Sequence, residues 1–395
     1  MKAREKYGVI FMVLGYGLIN LSLLDNSTRQ ALAFSSFGVA AIFALPENLY
    51  DIFKRRKAQS YGIAIFVLLY CFFIKATLGT YGEYGANKYP YLLIVVILTF
   101  FSFPTLLKND RALELFSKLL FYVSLVYCLF AIFYSNPNEG RRSEMGLNPA
   151  IMARLCMIAG IYIASVIYYK GVNALRVLIL LLSISAVFFT ATKTPVPVFI
   201  ASFYFVTARK LNLKKGLRIL FFLTIGLIAL YLVLTYVVPE QYSSRILSPE
   251  GLSYENQSTE GNRLQLYGLA LAIIQDNFWG VGFGGFAKFH SFIVAPHNLF
   301  LEAAVEMGTL IALLFLLWSM RALLIVRKIP LENGIYSTFV SILYVYSFIS
   351  MLFAGELTIQ SFLFYLTGTY LLFHYRKMGT GKNDVTNTRN SHLAT

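Results

Sequence analysis

The sequence predicts an all-α integral membrane protein with about 12 transmembrane helices and one large loop on the outer face. Three observations lead there. The 395-residue chain is 57% hydrophobic and only 13% charged, with a mean hydropathy of +0.64. A soluble domain is about half apolar and about a quarter charged. Its apolar residues gather into runs close to the length of about 20 residues that a helix needs to cross a hydrocarbon core. Its Lys and Arg residues concentrate in alternate connections between those runs, which is the pattern that sets orientation in a bilayer. Soluble enzymes, disordered proteins, coiled coils and nucleic-acid-binding modules do not fit this composition.

The runs lie near residues 7–24, 30–46, 61–79, 90–107, 119–135, 149–169, 177–192, 195–208, 219–238, 298–320, 336–353 and 360–375. The second, seventh, eighth and twelfth are short or interrupted. Pro195 and Pro197 open the eighth run, where a missing amide is tolerated because the first turn of a helix leaves its N–H groups unpaired anyway. The N-terminus begins with Lys2, Arg4 and Lys6 ahead of an apolar run. It resembles a signal peptide but lacks a small-residue cleavage site and is followed by more spans, so it reads as the first transmembrane helix.

With both ends inside, the cytoplasmic side carries most of the basic residues. These include the run Lys54–Lys57, Lys108, Arg111, Lys118, Lys170, Arg176, Arg209, Lys210, Lys214, Lys215, Arg218, Arg321, Arg327, Lys328 and the tail from Arg376 onward. The acidic residues show no such bias. The formal net charge of +15 is therefore a membrane-topology signal and not a nucleic-acid footprint. Cys71, Cys128 and Cys156 all fall inside apolar runs, and no CxxC pair or His/Cys cluster points to a disulfide framework or a zinc site.

The organisation that follows has four parts. Residues 1–238 form helices one to nine with short loops, residues 239–297 a large outer loop, residues 298–375 helices ten to twelve, and residues 376–395 a cytoplasmic tail. Long loops in compact folds are usually functional or disordered. This one contains Arg245, an apolar helix-like stretch from Arg263 to Ile274, the glycines 280, 282, 284 and 285, and then Pro296-His297-Asn298. The apolar stretch is too short to span and is expected to lie in the interface or to pack on the bundle, with Trp279 as an interfacial anchor.

Ionisable groups collect on or just within the outer face. They are Arg141 and Arg142, Arg154, Lys193, Arg245, Arg263 and His297, followed by Glu302 and Glu306. A charge inside a membrane helix is expensive and marks a functional candidate. Converging cations suggest an anionic ligand, since guanidinium matches phosphate oxygens in a bidentate fashion. Each has a second reading. Arg141 and Arg142 can be loop charges near headgroups, and Arg154 can pair with Glu302 or Glu306 to fasten helices. Lys193 can snorkel from a tight turn, and Arg245 can be a solvated loop charge. The glycine cluster resembles a nucleotide loop only superficially, because no strand precedes it. It is expected to allow a turn or close backbone approach. His297 and Asn298 immediately precede a long apolar run. Asn298 suits a helix N-cap, and a neutral imidazole with an unperturbed pKa of about 6.5 can take a proton from a hydroxyl, though it can equally serve as a hydrogen-bonding group.

Asn262-Arg263-Leu264-Gln265-Leu266-Tyr267, Gly280-Val281-Gly282-Phe283-Gly284, Pro296-His297-Asn298-Leu299-Phe300-Leu301 and Glu306-Met307-Gly308 together resemble the signature of the O-antigen ligase and polymerase superfamily (WaaL- and Wzy-like). Gly140-Arg141-Arg142 with Asn148-Pro149 is similar to an outer-loop arginine segment of that family. Thr192-Lys193-Thr194 departs from it by placing a lysine where relatives often carry arginine. The resemblance implies a GT-C-like fold and a metal-independent, inverting membrane glycosyltransferase on the periplasmic face of the bacterial inner membrane, with no cofactor. It implies an undecaprenyl-pyrophosphate-linked glycan as donor and lipid A–core or a lipid-linked repeat unit as acceptor. On this reading His297 and Arg263 are catalytic, and Arg142, Arg263, Lys193 and Arg141 bind the pyrophosphate. The leaning is to a ligase, with a Wzy-type polymerase as the alternative. A lipid-linked oligosaccharide transporter is the rival from another class, but it would favour midplane charges and paired halves. The sequence shows a one-sided cluster instead.

Overall fold

The computed structural model describes residues 1–20, 26–53, 58–133, 149–190, 192, 194–208, 236, 261–290, 294–329, 334–354 and 361–380. Among these the chain is helical. Helices α1 (Ala3–Ile19), α2 (Asn26–Phe53), α3 (Ala58–Leu78) and α4 (Gly82–Val96) come first. A π-helical turn, Ile97–Ser102, then carries α4 into α5 (Phe103–Leu106). They are followed by α6 (Asp110–Phe133), α7 (Pro149–Lys170), α8 (Ala174–Phe189) and α9 (Pro195–Thr207). The next described helices are α10 (Gly261–Asp276), α11 (Leu299–Met307), α12 (Thr309–Lys328), α13 (Ile335–Ala354) and α14 (Phe362–Thr380). The expected helix at 219–238, Tyr236 apart, lies outside the described residues.

Five helices are long and apolar enough to cross a membrane: Gly82–Leu106, Asp110–Phe133, Ala150–Lys170, Thr309–Lys328 and Ile335–Phe353. Shorter apolar helices accompany them, and large apolar side chains such as Leu69, Phe133, Leu178 and Leu317 face outward. Such a surface suits lipid, and the protein is an integral membrane protein.

Aromatic packing ties the first and last helices together. Phe362 of α14 lies against Tyr16 of α1, Phe37 of α2 and Phe103 of α5, with ring centroids 5.6, 5.3 and 5.7 Å apart. At one end of the bundle Asn109 donates to Glu5 at 2.8 Å and Tyr336 donates to Glu114 at 2.9 Å. At the opposite end α1 finishes at Asn20 and α7 starts. There a small cavity is lined by Asn20, Arg154, Tyr346, Ser350 and Leu363.

Two of the departures from the sequence reading matter most, those of the fourth and tenth runs. The fourth run, expected at 90–107, begins eight residues earlier, at Gly82, and continues through Pro90 inside the helix. The tenth, expected as one helix over 298–320, is two. Gly308 interrupts it with φ 93° and ψ 160°, backbone that a side chain rarely adopts. A Cβ there would lie 2.8 Å from the carbonyl carbon of Trp279 and 2.9 Å from the oxygen of Phe278. The short helix α11 is thus cut off from the long span α12, whose first amide, Thr309, donates to Phe278 at 3.0 Å.

Candidate functional site

The candidate site is assembled from α10, the glycine-rich loop after it, and α11. Helix α10 buries Leu266, Ala270 and Ile273 against Val281, Phe286 and Val305, while Leu264 stays 79% exposed on its other side. The apolar stretch expected to lie in the interface or pack on the bundle therefore packs through one face. From its C-terminus the chain runs antiparallel to nothing regular but is stitched backbone to backbone. Val281 donates to Val305 at 2.8 Å and Gly282 to Glu306 at 3.1 Å. Phe283 and the α3–α4 turn exchange bonds, Tyr81 donating to Phe283 at 2.7 Å and Phe283 to Gly79 at 3.3 Å.

The glycines act as close-approach points. Gly284, at φ 73°, would place a Cβ 2.7 Å from the Tyr81 oxygen and 2.7 Å from the Cα of Gly85. Only a residue without a side chain fits between those two backbones. Phe283, fully buried, inserts its ring against Tyr89 of α4 with centroids 5.2 Å apart.

Helix α11 starts as the sequence reading expects. The Asn298 side chain accepts from the amides of Phe300 and Leu301 at 3.0 and 3.1 Å, satisfying two of the amides that a helix start leaves unpaired. Its Nδ2 donates to the Leu352 carbonyl at the end of α13, at 2.9 Å, so the cap also fixes α11 to the bundle. Tyr267 of α10 donates to the same carbonyl at 3.3 Å.

His297 immediately precedes this cap and has φ 55°, the one non-glycine residue with positive φ among the described residues. A side chain in left-handed backbone costs of order 1–3 kcal/mol and persists only where its surroundings impose it. The imidazole is half-buried, and its pKa is held below the usual histidine value of 6.5, first by burial and then by the positive charge of Arg263. Glu302 acts in the opposite direction and Arg154 in the same direction as Arg263. His297, Arg263, Arg154 and Glu302 therefore form one electrostatic neighbourhood. The direction of this shift favours the uncharged imidazole, the state a general base requires.

Arg263 stands in the first turn of α10, and its Nε is buried without a hydrogen-bond partner among the described residues. A guanidinium N–H out of water and unpaired is costly, and an anion is its natural complement. Burial raises the neighbouring Tyr267 hydroxyl above the usual phenol value, while Arg263 opposes the rise.

The carboxylates weighed as partners for Arg154 have a partner absent from the sequence reading. Lys88 of α4, fully buried, is ion-paired with Glu302 and lies 2.7 Å from Glu306. Tyr84, one turn earlier on α4, donates to Glu302 at 3.3 Å. The signal was a Tyr84–Lys88 pair at helical spacing, but it sits in a polar stretch ahead of the expected span. Arg141, Arg142, Lys193 and Arg245 lie outside the described residues. Of the candidate site residues, Arg263 and His297 are among the described residues, and the Arg263 charge acts on the imidazole.

The family described as O-antigen ligase matches residues 178–317, from within α8 into α12. A search of curated proteins finds no match.

Proposed function

We propose that this chain, whose residues 178–317 match the family described as O-antigen ligase, is a glycosyltransferase of the ligase branch, moving a lipid-linked glycan onto lipid A–core. The observation that carries the reading is the buried Nε of Arg263, without a partner among the described residues, together with a left-handed His297 whose pKa burial and the Arg263 charge hold down. A base beside an anion-seeking cation is what transfer from a pyrophosphate donor needs. The acceptor hydroxyl attacks the anomeric carbon as its proton passes to His297. The bond from that carbon to the pyrophosphate oxygen breaks, and the leaving oxygen keeps its electrons. On this reading Arg263 balances the charge that grows there. We assign Arg141, Arg142 and Lys193 to the same pyrophosphate, and inversion at the anomeric carbon follows from one direct displacement.

The same reading places the protein in the bacterial inner membrane with about 12 spans, both termini in the cytoplasm and the site facing the periplasm. The donor is a glycan on undecaprenyl pyrophosphate, and the chemistry needs no metal ion.

Reconstitution tests it. Purified protein is mixed with an undecaprenyl-pyrophosphate-linked glycan and lipid A–core, with His297→Ala and Arg263→Ala alongside. Transfer to lipid A–core is expected, reduced about 10²–10⁴-fold by loss of the base and about 10²–10³-fold by loss of the cation. Because the pKa of His297 is depressed, the reactive neutral form persists below pH 6.5. Turnover should stay level from neutral pH down past 6.5 and fall only at lower pH. Longer lipid-linked chains in place of glycosylated core would make the protein a polymerase with the same site. Movement of the lipid-linked glycan across sealed vesicles, with neither product, would replace the enzyme by a transporter.

A further inference from the structure

Helix α10 has three flanks of different character. Leu266, Ala270 and Ile273 are buried in the small core described above. Gln265 and Asp276, which share a second flank, are polar and exposed. On the third, Leu264 and Leu271 stand two turns apart, one above the other, and are exposed as well. Phe278 and Trp279 follow directly after the helix and are exposed too, Trp279 by 62%. With 16 residues the helix is too short to cross a hydrocarbon core. A helix that shows an apolar flank beside a polar one suits the plane of a membrane interface.

The apolar flank is continuous with a membrane span. Thr309, the first residue of α12, donates its amide to the Phe278 carbonyl at 3.0 Å, and the Trp279 backbone closes on Gly308. From there Leu310, Leu313, Leu314 and Leu317 run along α12 at the spacing of a single helical face, and all four are exposed. Helix α12 is long and apolar enough to cross a membrane, so that face meets lipid. Phe278 and Trp279 stand at its end, and Trp is enriched at the depth where acyl chains give way to headgroups. Arg263 and Tyr267, one turn apart and half-buried, lie along the seam between the core flank of α10 and its Leu264–Leu271 flank.

We propose that α10 lies in the plane of the bilayer at one surface, with Leu264, Leu271, Phe278 and Trp279 docked among the acyl chains of that leaflet and Gln265 and Asp276 turned to water. The partner is the lipid leaflet itself. The seam then holds the Arg263 guanidinium at the height of the lipid phosphates, and an anion carried on a lipid reaches it sideways from the leaflet. This use of Arg263 rests on the glycosyl-transfer reading above; the docking of α10 does not.

The test reads the surroundings of each flank directly. Full-length Leu264→Cys, Gln265→Cys, Leu271→Cys and Asp276→Cys proteins are placed in phosphatidylcholine nanodiscs and labelled with a nitroxide. All four positions are exposed, so core packing is left alone, and Cys71, Cys128 and Cys156 are buried away from the label. Collisions of each label with oxygen, which concentrates in acyl chains, are compared with collisions with a water-soluble nickel chelate. Labels at 264 and 271 are expected to favour oxygen several-fold, and labels at 265 and 276 to favour the chelate. Trp279 gives a second measurement without a label. The chain has two tryptophans, so Trp318→Phe leaves Trp279 alone. Its emission should be quenched several-fold more by lipid brominated near the glycerol end of the acyl chain than by lipid brominated near the chain terminus.

Chelate-dominated collisions at 264 and 271 would put that flank in water, and few collisions with either reagent would put it against protein, whether a second copy or this chain. Either result overturns the proposal. So does an oxygen preference at all four positions, which buries the whole helix in lipid, or Trp279 quenching that is absent or strongest near the chain terminus. The two readings fail separately. Lipid-facing labels in a protein that transfers no glycan remove the enzymatic reading and leave the docking. Transfer by a protein whose Leu264 and Leu271 labels face water does the reverse.

Discussion

Replacing Asn298 by Ala removes three hydrogen bonds at the base of the site, and the loss can be worked out bond by bond. The two bonds to the Phe300 and Leu301 amides are one N-cap, worth about 1 kcal/mol. The bond from Nδ2 to the Leu352 carbonyl, 2.9 Å long, adds about 1 kcal/mol. Asn298→Ala should therefore destabilise the protein by about 2 kcal/mol. Asn298→Ser keeps an acceptor at the cap but is too short to reach Leu352, so about half of that loss should return. Thermal unfolding in detergent at one fixed scan rate measures the series, because membrane-protein unfolding is a matter of rates as well as equilibrium. Turnover should follow the same order, since His297 is the preceding residue and its left-handed backbone adjoins the helix start. Equal unfolding temperatures for the Ala and Ser variants would refute the separate contribution of the Leu352 bond. Ala and wild type unfolding together would refute the cap as a support of the site.

Two further substitutions test the frame around it. Gly308→Ala puts a Cβ 2.8 Å from the Trp279 backbone at a φ of 93° and should cost at least about 1–3 kcal/mol. A thermal shift assay reads this, and an unchanged unfolding temperature would mean that the break between α11 and α12 is not held as described. Lys88→Met strips the counter-charge from two buried glutamates and should cost about 3–5 kcal/mol. Chemical denaturation in mixed micelles would show it, and a loss below about 1 kcal/mol would indicate that the glutamates are not both charged.

The helical, membrane-embedded character of the chain was legible because apolar runs of the right length leave few other solutions. The N-cap at Asn298 was legible too, since Asn before an apolar run has one dominant structural use. The break at Gly308 was not. Its neighbours on both sides are apolar, so hydropathy joins Leu299–Met307 to Thr309–Lys328, and only the approach of the Phe278–Trp279 backbone shows why they part. Lys88 escaped for a related reason. Residues 82–89 are polar enough to read as a loop, and the lysine becomes tolerable in a helix only through glutamates more than two hundred positions away. What no reading of the chain could give was the left-handed backbone of His297.

The stitching of the glycine loop to the α3–α4 turn sets rules for recombination. An experimenter exchanging segments between relatives to alter which glycan is accepted would be tempted to cut at loop boundaries. Here the cut after α10 would separate Phe283 from its bonds to Gly79 and Tyr81, and Gly284 from the backbone it fits against. Residues 79–88 and 278–308 thus behave as one heritable block split across the chain. A functional chimera would have to take both pieces from the same parent.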